Sequence, residues 1–156
     1  MPLPLQTILQ DRYRVEALLG QGGMGSVYRG YDLRLQVACA IKENTARRNN
    51  ADYVEEITQQ FEREAVILAG LHHQNLPRVT NYFKFGDEQY LVMDFVEGED
   101  LAARLERCKH FTEAEVLKWI MQVCDALTYL HTHPRAPIIH RDIKPANIKI
   151  ANDGRV

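Results

Sequence analysis

The chain turns from mainly strand periodicity to helical at Glu97-Gly98-Glu99, and that change limits what it can fold into. Before it, apolar residues recur mainly at every second position, as in half-buried strands; after it they recur at three and four, as on helices. Tyr13, Val15, Ala17 and Leu19 alternate with Arg12, Arg14, Glu16 and Leu18, which predicts a strand that the glycines from Gly20 to Gly25 end. Ser26 to Arg29 reads as the return strand, and Gln36 to Lys42 as a third, with Val37, Cys39 and Ile41 on one face and Ala38, Ala40 and Lys42 on the other. A helix is expected from about Asp52 to Leu71, its first turn capped by Asp52 and Glu55 and its inner stripe formed by Ile57, Phe61, Glu64, Leu68 and Leu71. Thr80 to Phe85 and Gln89 to Phe95 form a hairpin around Gly86-Asp87.

Beyond the break, Asp100 to about Arg107 reads as a short helix, and Thr112-Glu113-Ala114-Glu115 as a capping box opening a long one. Val116, Ile120, Val123, Leu127 and Leu130 are its expected core stripe. Ile148 and Ile150 lead into Asn152-Asp153-Gly154, a hairpin signal whose second arm would lie past Val156. The expected class is α+β: an extended, proline-containing lead-in over 1–11, a lobe of antiparallel sheet plus one long helix over 12–96, and the beginning of a helical lobe over 97–156.

Composition narrows the function classes. With 46% hydrophobic and 26% charged residues in 156, the chain has the material for a core, and a net charge of −2 supplies no basic field to recruit nucleic acid or anionic lipid. Cys39, Cys108 and Cys124 have no metal-ligand spacing and suit a reducing compartment, so cytoplasm is the expected location. The start, Met1-Pro2-Leu3-Pro4-Leu5, lacks a basic then apolar leader, and no apolar run is long enough to cross a bilayer, so no membrane contact is expected from this segment.

Three strings carry chemistry. Gly20-Gln21-Gly22-Gly23-Met24-Gly25-Ser26-Val27 fits G-x-G-x-x-G-x-V between two strands, which lets backbone N–H groups approach phosphates unobstructed. A glycine-rich hairpin turn has the same composition for purely conformational reasons, but a dinucleotide-binding turn would lead into a helix, and Val27-Tyr28 continues as strand. Lys42 shares the small-residue face of its strand with Ala38 and Ala40, where a flat ring could rest while the ammonium reaches phosphates; a lysine snorkelling from a strand end is the alternative. Glu64, between Phe61 and Leu68 on the inner stripe, needs a cation if it is ionised there, so a Lys42–Glu64 ion pair that positions ATP is the better reading.

The most specific string is His140-Arg141-Asp142-Ile143-Lys144-Pro145-Ala146-Asn147, which fits H-R-D-x-K-x-x-N. A hydroxyl nucleophile needs an acceptor for its proton (Asp142), migrating phosphoryl charge needs a cation (Lys144), and a metal needs an oxygen ligand (Asn147). A polar loop ending at a proline would account for any one of them but not for their joint spacing.

Together these strings resemble the eukaryotic-type (Hanks-type) serine/threonine protein kinase family, from about Arg12 to Val156. Lys144, two residues past Asp142, is similar to the serine/threonine branch, and Gly22-Gly23-Met24-Gly25 with Lys144-Pro145-Ala146-Asn147 resembles bacterial members. The resemblance implies a kinase-like fold, ATP and Mg2+, and a protein substrate bearing Ser or Thr. It assigns Leu19, Val27 and Ala40 to the roof over adenine, Gly20, Gly22 and Gly25 to the phosphates, Lys42 to the α and β phosphates, and Met93 to the gatekeeper position. It gives the backbones of Asp94 and Val96 to the adenine edge, Asp100 to the ribose, Asp142 to the catalytic base, Lys144 to the γ-phosphate and Asn147 to magnesium.

The chain departs from the family pattern at Cys39, in place of a valine, and at Lys149, in place of the apolar residue beneath adenine; no Asp-Phe-Gly follows before Val156. On that basis the chain is expected to be an incomplete domain, inactive alone, with self-association through its exposed helical lobe. The alternatives are a non-catalytic, pseudokinase-like nucleotide-binding or interaction module and a small-molecule phosphotransferase of kinase-like fold.

Overall fold

The computed structural model describes residues 2–22, 25–44, 51–86 and 88–156, with the backbone alone over 51–58. Two compact units are present: Met1–His72 with Pro77–Phe95, and His73–Leu76 with Val96–Val156.

The first unit is a six-stranded antiparallel sheet in the order β1-β2-β3-β4-β6-β5. Its strands are β1 (Ile8–Leu9), β2 (Tyr13–Gly22), β3 (Gly25–Asp32), β4 (Val37–Asn44), β5 (Val79–Phe85) and β6 (Glu88–Asp94), with α1 (Ala51–Ala69) between β4 and β5. The strand periodicity is borne out in β4, where Cys39 and Ile41 are buried while Ala38, Ala40 and Lys42 are half-buried on the other face. One face of the sheet is the main core, built from Leu9, Tyr13, Val15, Tyr28, Cys39, Ile41, Phe83, Tyr90 and Val92. On the other face, Phe61 and Ala65 of α1 pack with Leu91, flanked by Leu68, Val79, Tyr82 and Met93. Adjacent residues of β6 therefore serve different cores, as a strand covered on both faces requires.

Three expectations need correction here. The lead-in is not separate from the fold: Ile8 and Leu9 pair with Arg14 and Tyr13, Gln6 N–H donates to Val15 O at 2.8 Å, and Leu9 is fully buried. A two-residue edge strand is too short for a periodicity signal. Tyr13, Val15, Ala17 and Leu19 do not share one face, because register shifts at Val15/Ala17 and Leu18/Gly20 interrupt the alternation. The first shift moves Ala17 opposite Arg29, and Leu19 falls inside the second, unpaired and exposed. Glu64 is not on the buried stripe, which α1 forms with Phe61 and Ala65; Glu64 stands at the edge, exposed. The expected helix cap at Asp52 and Glu55 and the core role of Ile57 lie outside the described side chains, as do Gly23, Met24 and Asp87.

The β3–β4 connection is closed by a charge pair that periodicity does not reveal. Arg12 Nε donates to Asp32 Oδ1 and Oδ2 at 3.1 and 3.0 Å and Arg12 Nη2 to Oδ2 at 2.7 Å, while Oδ1 accepts the amides of Arg34 and Leu35. Burial alone would raise the Asp32 pKa, but these bonds outweigh it and hold the carboxyl below the usual range. A carboxyl lowered in the folded state stabilises above its unfolded pKa, near about 3.9, and loses that contribution as pH falls through the folded value. Asp32→Asn is therefore expected to lower the urea midpoint at pH near 7 and to narrow the gap between midpoints measured near neutrality and at about pH 3. An unchanged gap would show that Asp32 carries no linkage.

The second unit holds β7 (Gly98–Asp100), α2 (Leu101–Cys108), α3 (Glu113–His131), a 3-10 turn (Pro145–Asn147) and β8 (Lys149–Ala151). The capping box opens α3 as expected: Thr112 Oγ1 accepts from Glu115 N, and Glu115 Oε2 accepts from Thr112 N. The buried stripe of α3 is Trp119, Val123, Ala126 and Leu130, so the expectation held at Val123 and Leu130 but not at Val116 and Ile120, which are exposed. Trp119 rotates the contact face toward itself, with Phe111 edge-on at 5.0 Å and the Arg104 guanidinium 5.2 Å from its centroid. The Ile148–Ile150 strand has a partner after all: Lys149–Ala151 pairs antiparallel with β7. Gly98 permits that approach, since at φ +145 its Cβ would stand 2.2 Å from Ile150 O.

Candidate active site

The first unit carries one group of candidate residues on a single face of its sheet. Register makes Gly20, Val27, Lys42 and Leu91 successive partners across β2, β3, β4 and β6, with Ala17, Arg29, Ala40 and Met93 as the adjoining row. Antiparallel partners share a face, so Val27, Ala40, Lys42 and Met93 stand together. All four are half-buried, whereas the β3 and β4 residues between them are buried on the opposite side. Leu19, expected beside them, is exposed in the irregular stretch of β2.

The glycines divide by role. Gly25 is required by the close pairing of β3 with β4, because at φ +137 a Cβ would stand 1.9 Å from Glu43 O. A Cβ at Gly20 or Gly22 would meet nothing within 4 Å. The fold does not demand glycine there, and the bare backbone leaves room for a ligand.

Lys42 Nζ lies 3.4 Å from Glu64 Oε1, so the predicted pair forms, with side chains 35% and 47% exposed. At that exposure the pair contributes about 0–1 kcal/mol or less to stability. Its value is directional: the ammonium is held 5.6 Å from the Phe61 centroid and aimed by Glu64. Asp94 turns its carboxylate to Arg78, and its own N–H donates to Arg78 O at 2.9 Å.

The second unit carries the other group. Asp142 Oδ2 accepts from Asn147 Nδ2 at 2.8 Å and lies 3.0 Å from Lys144 Nζ, and the same Asn147 nitrogen donates to Asp142 O at 2.8 Å. The 3-10 turn at Pro145–Asn147 brings Asn147 back over Asp142, which explains the fixed spacing. Arg141 precedes with φ 65, a left-handed conformation that a non-glycine residue adopts at a cost and that functional loops concentrate. The hydrogen bond from Lys144, then that from Asn147, holds the Asp142 carboxyl below its ordinary pKa. Near neutral pH it is an ionised, solvent-facing acceptor whose oxygen is oriented by an amide and a cation.

Asp100, expected at the ribose, uses Oδ1 to accept Ala103 N–H at 2.8 Å and so caps α2. Lys149 donates Nζ to Gly98 O at 3.1 Å, and Val96 is half-buried just before β7. Among the described residues no group of three or more His, Cys, Asp or Glu could hold a metal ion.

Residues 13–156 match the Protein kinase domain family. The chain belongs to that family. It is 34% identical over 150 residues to a probable serine/threonine-protein kinase PknB of Lactococcus lactis, covering 96% of this chain and 23% of that protein. It is 32% identical over 156 residues to a serine/threonine-protein kinase PknA of Nostoc, covering 97% of this chain and 27% of that protein. A solved structure described as PpkA-294 apo form has a TM-score of 0.83 at 25% identity, over 99% of this chain and 59% of that one. The resemblance to bacterial serine/threonine kinases and the kinase-like fold class are thus borne out, and the chain spans about a quarter of the length of these two curated kinases.

Proposed function

We propose that the chain supplies the nucleotide site and catalytic loop of an ATP-dependent serine/threonine protein kinase, which transfers the γ-phosphoryl group to a protein hydroxyl. The observation that carries this reading is the convergence of Lys144 and Asn147 on one carboxylate oxygen of Asp142. Phosphoryl transfer needs positioning and charge stabilisation more than covalent chemistry, and this arrangement supplies both. Asp142 accepts and orients the attacking hydroxyl, and Lys144 offers a cation to the transferring group.

In the first unit Lys42, aimed by Glu64, grips the α and β phosphates, Gly20, Gly22 and Gly25 leave their backbone to the phosphates, and Leu19, Val27 and Ala40 cover adenine. Met93 stands at the gatekeeper position, the backbones of Asp94 and Val96 meet the adenine edge, and Asp100 serves the ribose with the oxygen not engaged in the helix cap. Mg2+ fits the donor chemistry: with Nδ2 turned to Asp142, the Asn147 Oδ1 is left as a hard oxygen donor of the kind that ion takes beside substrate phosphates. Bound there, the ion would neutralise phosphate charge.

Cytoplasmic location and the absence of nucleic-acid partners belong to the same reading; no helix among the described residues is long and apolar enough to cross a membrane. Val116, Leu117, Ile120 and Met121 leave one face of α3 apolar and exposed, which supports self-association. Sedimentation velocity over a dilution series should show a species larger than the monomer, reduced by Met121→Lys; a monomer at every concentration would contradict it.

The nucleotide site is tested by thermal denaturation with ATP, with and without Mg2+. ATP at about 100 times its Kd should stabilise the folded chain by about 2.7 kcal/mol. Lys42→Met should abolish most of that shift while leaving the melting temperature without nucleotide nearly unchanged. No shift in the folded wild type would remove the nucleotide reading. A shift without phosphoryl transfer in the full-length gene product would favour the non-catalytic module, for which Lys149, in place of the apolar residue that the family resemblance implies beneath adenine, is the motivating feature.

A further inference from the structure

Glu43 follows Lys42 in β4 but points to the opposite face, where it is 4% exposed and takes no part in the proposed reaction. Both carboxylate oxygens are engaged: Tyr28 Oη donates to Oε2 at 2.8 Å and Tyr90 Oη donates to Oε1 at 3.1 Å. Tyr90 is the register partner of Glu43 on β6, Ser26 is its partner on β3, and Tyr28 lies on the same face two residues beyond Ser26. Leu3 N–H donates to Tyr28 Oη at 2.9 Å, so a relay runs from the N-terminal segment through Tyr28 to Glu43. Tyr28 and Tyr90 are kept as donors by burial, which raises both pKa values.

A carboxylate beside an apolar core is costly unless its oxygens are bonded, and here the bonds come from the strands on either side of β4. They fix the rotation of β4 at residue 43. Because successive side chains on a strand point to opposite faces, they also fix the direction in which Lys42 leaves the sheet. From its own side Lys42 has the 3.4 Å contact to an exposed carboxylate, a weaker restraint than two hydrogen bonds inside a core.

We propose that Glu43 is the positioning residue for Lys42: clamped by Tyr28 and Tyr90, it sets the direction of the Lys42 ammonium from behind the sheet, and the N-terminal segment completes the clamp through Leu3. This rests on the reading of Lys42 as the phosphate-gripping lysine.

The test compares Glu43→Gln, Tyr28→Phe and Tyr90→Phe with Val15→Ala, a cavity in the same core whose side chain makes no hydrogen bond to Glu43 or to either tyrosine hydroxyl, at a temperature where each is folded. Two quantities are read: ATP affinity by titration, and acetylation of Lys42 by acetic anhydride without nucleotide, scored by mass spectrometry against Lys84. The clamp variants should weaken ATP binding by roughly fivefold to tenfold, the equivalent of one lost hydrogen bond, and change the Lys42 to Lys84 labelling ratio by about threefold. Val15→Ala should change neither by more than about twofold. The single-hydroxyl variants keep the test open if Glu43→Gln does not fold. Unchanged Lys42 labelling in the clamp variants, or the same change in Val15→Ala, overturns the proposal. A wild type that binds no ATP removes the nucleotide reading instead, and the labelling ratio still decides the clamp.

Discussion

Asp142→Ala in the full-length gene product is expected to lower phosphoryl transfer by about 100-fold to 10,000-fold, the usual contribution of a positioned acid or base. ATP affinity should change by less than about threefold, because the proposed role of Asp142 is at the hydroxyl and not at the nucleotide. Lys144 and Asn147 would lose their shared acceptor, so their own replacements should be less than additive with Asp142→Ala. The lowered pKa of Asp142 has a signed consequence. The reactive form is the ionised one, and lowering the pKa extends it to more acid conditions. Any acid limb of kcat due to this group should fall below the ordinary aspartate value near about 3.9, and a limb near neutrality would belong to another residue. A loss of kcat below about tenfold in Asp142→Ala would remove the residue from the role of base.

The largest effect on stability is expected from Ile41→Ala. Ile41 is fully buried, its register partners are Tyr28 and Val92, and its Cδ1 fills the space where a Cβ on Gly30 would lie, 2.4 Å away. The gap left by truncation opens among side chains fixed on three strands, so little relaxation can close it. The expected cost is about 2–5 kcal/mol. For a unit of this size that is a fall in melting temperature of at least about 8 °C. Val37→Ala, on the same strand but exposed, should stay within about 0.5 kcal/mol. Denaturant titration of both variants separates the cases, and a similar small change in each would show that the main core is not where the buried residues place it.

What could be read from the residues follows from how each signal arises. The strands β4 and β6 and the capped start of α3 were legible because period and capping are local properties. Catalytic-loop spacing was legible because the 3-10 turn that folds Asn147 over Asp142 needs no partner outside the segment. The bulges that displace Ala17 and Leu19 were not, since a register shift is a property of two strands. The spacing from Phe61 to Leu68 puts Glu64 on the inner stripe, yet the buried stripe runs through Ala65 instead. Its pairing with Lys42 survives that correction, because long side chains meet from an edge position. The core face of α3 was set by Trp119, whose size outweighs Val116 and Ile120 in choosing which side of the helix is buried. The Arg12–Asp32 pair and the Glu43 clamp join residues distant in sequence, and the two-residue strand Ile8–Leu9 is too short to show a period. The local cues for the pair and the clamp are Arg12 and Asp32 on the two sides of the β2–β3 hairpin and the polar run Lys42-Glu43-Asn44 that ends an otherwise apolar β4.

Phosphoamino-acid analysis tests most directly whether the proposed phosphoryl transfer goes to protein serine or threonine. The full-length gene product is incubated with ATP radiolabelled at the γ-phosphate, Mg2+ and a mixture of protein substrates, beside its Asp142→Ala variant. Label is expected in phosphoserine or phosphothreonine with the wild type and almost none with the variant. Label confined to phosphotyrosine or to a small hydroxylated molecule, or equal labelling by the Asp142→Ala variant, would contradict the proposed function.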